Sequence, residues 1–154
     1  MVGKEISIDG IKIIEPAVYN DSRGFFIESF NHDRFKEVTG EDFSFVQDNL
    51  SCSHKNVLRG LHFQAPPIAQ GKLIQVLRGS VIDIAVDLRK SSKTYGEHIK
   101  VEISSQNHRQ LWIPTGFAHG FVALEDNTIF SYKCTNYYSK EHEMDLLWND
   151  VDLD

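Results

Sequence analysis

A β-barrel or jelly roll is the architecture that this 154-residue chain predicts, and three observations carry it. Short segments alternate apolar and polar residues. Clusters of turn-forming residues separate them at the close spacing of an all-β sandwich or barrel. A single segment carries both start and stop signals of a helix.

The alternation predicts strands over 11–15, 25–30, 45–51, 57–64, 72–77, 81–88, 98–103, 109–113, 119–124 and 129–134. Between them lie Asp21-Ser22-Arg23-Gly24, Arg78-Gly79-Ser80, Ser104-Ser105-Gln106-Asn107, Pro114-Thr115-Gly116 and Glu125-Asp126-Asn127. Each is rich in residues that stabilise turns. The helix runs from a cap at Asn31 through Phe35 and Val38 to a stop at Gly40. No repeat, linker or low-complexity segment divides the chain, so residues 1–154 are expected to form one domain.

The composition excludes several classes of function. A formal charge of −6 argues against nucleic acid as the main partner. It leaves room for an anionic small ligand, since a few cationic side chains can gather in one pocket. No apolar run approaches the ~20 residues of a membrane span. The first ten residues are charged and lack the apolar core of a signal peptide, so a soluble cytoplasmic protein is expected, with no membrane partner. Cys52 and Cys134 are too few for a disulfide framework or zinc site and read as two buried thiols in a reducing compartment.

Period-two alternation says which polar residues share a face. Gln47 and Asn49 point the same way, as do Tyr132, Asn136 and Tyr138 if that strand runs on. Lys72 shares a face with Ile74 and Val76, and Asp83 with Val81 and Ala85, which directs both charges inward. In Val57-Leu58-Arg59-Gly60-Leu61-His62-Phe63-Gln64, Arg59 and His62 fall on opposite faces of a regular strand. A bulge at Gly60 would bring both into one cavity.

The candidate chemistry is proton transfer. A histidine titrates near neutrality, and His62 can take a proton from carbon; alone, it reads more readily as a core histidine satisfied by one hydrogen bond. Lys72, His119, Tyr132, Arg23 and Arg59 extend the inventory. Abstraction of a proton next to a ketone needs a base, a stabiliser for the enolate oxygen and, for inversion, an acid on the opposite face. Histidine, lysine and tyrosine fill those roles, and arginines suit a diphosphate. A metal site competes, because Pro114-Thr115-Gly116-Phe117-Ala118-His119 has the P-x-G-x-x-H form of half a cupin metal motif. The other half offers His62 alone, with Lys72 downstream, so neither a metal nor another cofactor is expected.

These motifs resemble the dTDP-4-dehydrorhamnose 3,5-epimerase family, a metal-independent branch of the cupin jelly rolls. Residues 21–30 match its D-x-R-G-F-F-x-E-x-F opening, 45–49 its F-V-Q-D-N and 57–64 its V-L-R-G-L-H-F-Q. Gln70-Gly71-Lys72-Leu73, residues 83–89, 111–121 and 132–138, and Trp148-Asn149-Asp150 follow in order. The resemblance implies an all-β, cupin-type double-stranded β-helix with one or two short helices. It implies that His62 is the proton acceptor, Tyr132 the proton donor and Lys72 the stabiliser of the enolate. His119 and Arg59 would contact sugar and diphosphate. Arg23, Glu28, Gln47, Asn49 and Glu143 would bind the nucleotide-sugar, and Tyr138 would stack on thymine. The implied substrate is dTDP-4-dehydro-6-deoxy-D-glucose, inverted at C3 and C5 toward L-rhamnose for surface polysaccharide, in a homodimer that exchanges N-terminal strands.

The family extends beyond its W-N-D motif into an S-x-K-D segment whose aspartate pairs with the base histidine. This sequence stops at Asp154, so a C-terminally short member is the expectation. Asp83 is the expected substitute for orienting His62. A C3-only epimerase, a sugar 3,4-ketoisomerase and a catalytically weak nucleotide-sugar binding protein of the same fold remain open as alternatives. Asp87 and Arg89 read as structural or at the dimer surface.

Overall fold

Two antiparallel sheets form the body of the protein, in a computed structural model that describes residues 1–151. In chain order the strands are β1 (Val2–Glu5), β2 (Lys12–Glu15), β3 (Val18–Asp21), β4 (Gly24–Ile27), β5 (Gln47–Ser53), β6 (Leu58–Gln64) and β7 (Lys72–Arg78). They continue as β8 (Ser80–Asp87), β9 (His98–Ser104), β10 (Gln110–Ile113), β11 (Phe117–Ala123), β12 (Thr128–Cys134) and β13 (Glu143–Asp145), with one helix, α1 (His32–Thr39), between β4 and β5. The six-stranded sheet runs β1-β2-β10-β7-β12-β5 and the five-stranded sheet β13-β6-β11-β8-β9. From β5 to β8 and again from β9 to β13, successive strands alternate between the sheets, as in a jelly roll. β3 and β4 pair only with each other.

Each expected strand is present within a few residues, and so is the helix. Asn31 caps α1 by accepting from the Arg34 N–H (3.2 Å), and Gly40 ends it at φ +74° with its N–H on the Lys36 carbonyl. Three strands are additional. β1, β3 and β13 are three or four residues long and largely polar and exposed, so they carry no periodic signal.

The core lies between the sheets. Ile74, Val76 and Phe130 from one sheet meet Val81, Ala85, Phe117 and Phe121 from the other. Outside the six-stranded sheet, Phe35 of α1 sets its ring edge-on to Trp112 (5.0 Å between centroids), with Phe30, Phe43 and Phe45 around them. Outside the five-stranded sheet, Leu61, Val86 and Ala118 pack with Phe63 and Leu146. β7 is buried on both faces, which is how Lys72 comes to be only 6% exposed.

Asp87 is fully buried and accepts hydrogen bonds from Arg89, Ser92 and Thr94. Burial alone would raise its carboxyl; those bonds outweigh it and hold the group far below the usual carboxylate range. Asp87 and Arg89 are thus structural, closing the loop between β8 and β9. Cys134 is buried as expected, but Cys52 is exposed, because its side chain alternates outward on β5. No helix among the described residues is long and apolar enough to cross a membrane.

Candidate active site

The expected bulge sits at the centre of the site. Between the pairs His62–His119 and Arg59–Phe121, β6 spends one residue more than β11. Gly60 adopts φ +108° there, and a Cβ on it would lie 2.6 Å from the Gly120 Cα and 2.5 Å from the His119 carbonyl oxygen. Only glycine fits. The extra residue turns Arg59 to the same side as His62, and both line a cavity of about 280 Å³.

That cavity lies between the sheets. Arg59, His62, His119 and Phe121 line it from the five-stranded sheet; Asn49, Leu50, Ser51, Phe130 and Tyr132 line it from the six-stranded sheet. Lys72 is in the same cluster, its Nζ 5.9 Å from the centre of the Tyr132 ring. His62 and Tyr132 therefore rise from opposite walls.

One expectation about this cluster is corrected. Asp83 does not hydrogen-bond His62. Its Oδ2 lies 2.9 Å from Nε2 of His119, and its Oδ1 is buried without a partner. The register explains it: on β8, Asp83 faces Phe121 and Ala85 faces His119, so the Asp83 carboxylate reaches the histidine of the adjacent strand rather than one strand further. Among the described residues, β13 brings carboxylates beside His62 along the sheet, and Asp145 stands directly opposite it. The Leu146 N–H to Leu61 carbonyl bond makes the next pair the hydrogen-bonded one. Asp145 and His62 thus form the closer, non-hydrogen-bonded kind of pair, with side chains on one face.

The electrostatics leave the imidazole without its proton and the phenol with one. Burial, with Lys72 and His119 close by, pushes the His62 imidazole down to about 4, against the pull of Glu143 and Asp145. It is neutral at pH 7 and has a lone pair to offer. Burial, then Cys134 and Glu143, raise the Tyr132 phenol, which keeps its proton at neutrality. Burial lowers the Lys72 ammonium. Burial raises the Asp83 carboxyl, opposed by His119 and Lys72.

The rim is polar and ordered. Gln47 donates to Asn49 (3.0 Å) and accepts from the Tyr138 N–H (2.9 Å). The Tyr138 hydroxyl donates to Glu143 (2.7 Å). β12 ends at Cys134, so Tyr138 reaches the rim through this bond and not by strand alternation, and its ring is exposed. Gln64 fastens the rim from below, donating to the Tyr137 carbonyl and accepting from the Ser139 N–H. Arg23 and Glu28 are not brought to this cavity within the chain. Arg23 is exposed and paired with Asp21, and Glu28 pairs with Arg34 beside α1.

Ser51, Ser53 and the Asp83–His119 contact were not foreseen. Alternation from Gln47 and Asn49 points to both serines; Ser51 lines the cavity, and Ser53 accepts from Arg59 (3.0 Å). The Asp83–His119 contact depends on register and has no local signal. Among the described residues, no group of three or more His, Cys, Asp or Glu is arranged to hold a metal ion.

Fold and cavity together define a cupin-type jelly roll with a histidine and a tyrosine facing each other between its sheets. The chain belongs to the dTDP-4-dehydrorhamnose 3,5-epimerase family, whose sequence profile matches residues 5–154. It is 53% identical over 150 residues to the dTDP-4-dehydrorhamnose 3,5-epimerase of Salmonella typhimurium, covering 97% of this chain and 82% of that protein. The Legionella pneumophila dTDP-6-deoxy-D-glucose-3,5-epimerase, solved in complex with dTDP-4-keto-L-rhamnose, superposes with a TM-score of 0.95 at 50% identity, over 98% of this chain and 80% of that one. A 3′-monoepimerase from Streptomyces bikiniensis in complex with dTDP-quinovose gives a TM-score of 0.90 at 32% identity, over 96% and 75% of the two chains.

Proposed function

We propose that this protein is a dTDP-4-dehydrorhamnose 3,5-epimerase acting on dTDP-4-dehydro-6-deoxy-D-glucose. The observation that carries the mechanism is that His62 and Tyr132 line one cavity from facing sheets. Inversion at carbon needs proton removal on one face and return on the other.

In this reading, His62 takes the proton from the carbon next to the C4 ketone, and the electron pair passes to the ketone oxygen. The Lys72 ammonium stabilises that oxyanion in a site shielded from water. The Tyr132 hydroxyl then delivers a proton to the opposite face. Solvent restores both groups, and the cycle repeats at the second carbon. Arg59, His119, Gln47, Asn49, Glu143 and Tyr138 hold the nucleotide-sugar, with the exposed Tyr138 ring available to stack on thymine.

We further propose a homodimer with exchanged N-terminal strands. The β3–β4 hairpin pairs with neither main sheet, and Phe25 and Phe26 on it are 62% and 68% exposed. β5, which carries Gln47 and Asn49, is an edge strand with a free side. The hairpin of a second copy docking there would bring Arg23 and Glu28 to the cavity. A cytoplasmic setting suits the two unpaired cysteines.

Solvent deuterium exchange tests the reading. Incorporation at both C3 and C5 of the 4-keto substrate is the expected result. Exchange at C3 alone would make the protein a monoepimerase like the Streptomyces relative, and a migrated keto group would make it a ketoisomerase. Binding without exchange would leave it a nucleotide-sugar binding protein.

A further inference from the structure

We infer that Asp83 is a positioning residue: it balances the buried Lys72 ammonium and holds His119 as the neutral Nε2–H tautomer, leaving Nδ1 to accept a hydrogen bond from a hydroxyl of the bound sugar. The substrate in this statement rests on the epimerase reading; the charge state of the cluster does not.

Asp83 is fully buried, so it acts on a substrate only through its neighbours. One oxygen meets Nε2 of His119 at 2.9 Å and the other has no partner. Lys72, 6% exposed, forms no hydrogen bond or ion pair with a described residue, and Asp83 is among the charges that act on it. An isolated buried charge is strongly unfavourable, and an opposite charge in the same cluster reduces that cost. A protonated His119 would add a second buried cation beside Lys72, with Asp83 the one fully buried carboxylate among the described residues of this cluster. The balanced cluster is Lys72 charged, Asp83 charged and His119 neutral.

The tautomer follows. A carboxylate only accepts, so the hydrogen of the short contact belongs to Nε2. A neutral imidazole carries one ring hydrogen, so Nδ1 keeps a lone pair. His119 lines the cavity and its ring stacks near Phe130 (6.1 Å between centroids), which restrains its orientation. It therefore offers sugars an acceptor where His62 offers a base. Positioning and charge balance reach the substrate from a residue that never touches it.

Other groups also face these two. Lys72 meets Cys134 and Tyr132 of β12, His62 of β6 and Glu143 of β13 besides Asp83; His119 meets His62 across the strands. Asp83 is the fully buried carboxylate among them, since Glu143 is exposed.

Asp83→Asn removes the charge and keeps the shape. In this variant the alkaline limb of the deuterium-exchange profile should move down by about one pH unit or more, as Lys72 loses its counter-charge, with exchange at the old plateau edge about tenfold slower. Affinity for dTDP alone, which lacks the sugar, should change less than about threefold. A merely structural role would lower yield or stability and leave the limb in place. Nitrogen-15 NMR of the wild-type protein, with His119 assigned against His119→Gln, gives a second readout that needs no Asp83 variant. A bare Nδ1 and protonated Nε2 at pH 7 are expected. A proton on Nδ1, or an unmoved alkaline limb in a folded Asp83→Asn, overturns the inference. If the wild type exchanges neither proton, the epimerase reading fails, and the NMR tautomer still decides the role of Asp83.

Discussion

His62 and His119 stand opposite each other on β6 and β11, yet Asp83 hydrogen-bonds only His119. Two histidines in one cavity are thereby made different. His119 is 4% exposed and tied through one ring nitrogen, whereas His62 is only partly buried, has no hydrogen bond to a carboxylate among the described residues, and has its affinity for a proton lowered by burial and by Lys72. In the proposed reaction it is this imidazole, free of the Asp83 bond, that takes a proton from carbon.

Replacing the base should separate chemistry from binding. His62→Ala is expected to abolish exchange at C3 and C5, a loss on the order of 10²–10⁴-fold, because the lone pair assigned to the base is removed. Calorimetry with dTDP should give an affinity within a few-fold of wild type. Retained exchange would refute the assignment of the base.

Tyr132→Phe should divide the two half-reactions. Proton loss to solvent depends on His62, so exchange without inversion should persist while inverted product falls steeply. Mass spectrometry of deuterium content alongside NMR of configuration reads both. Equal loss of the two would argue against the phenol as the acid.

The depressed His62 proton affinity has a consequence for stability. The unfolded chain binds this proton near pH 6.5, the folded protein only near pH 4. Between those values the unfolded state holds more protons, so the His62 contribution makes stability fall as the pH drops from about 6.5 to about 4. Thermal melts of His62→Gln should show a shallower decline than wild type across that window. Parallel curves would mean that the imidazole titrates normally in the fold.

Gly60→Ala is expected to cost about 1–3 kcal/mol from backbone strain alone. The contact with the Gly120 backbone adds to this. Because the bulge aims both Arg59 and His62, exchange should fall even where the variant remains folded. Urea unfolding and the exchange assay measure the two effects, and wild-type values in both would show that the bulge tolerates a side chain.

Much of this protein is legible in its residues. Alternation placed the inward-facing Lys72 and Asp83, and the Asn31 and Gly40 signals bounded α1, because side-chain burial and capping act over a few residues. Gly60 between Arg59 and His62 announced a bulge for the same reason. The short strands β1, β3 and β13 escaped, since a polar edge of three or four residues is defined by what it pairs with.

The identity of the carboxylate beside each histidine belonged to the tertiary structure alone. By itself the sequence determined the jelly roll, the proton-transfer inventory and the family whose motifs it carries. Whether Asp83 meets His62 or His119 depends on the order and register of β6, β11 and β8, which other strands separate in the chain, and one residue of slip would turn its carboxylate to the other face of the sheet. The facing of His62 and Tyr132 across the cavity likewise depends on how two sheets stack. Neither relation leaves a trace in local spacing, because each is made by groups far apart in the chain that only packing brings together.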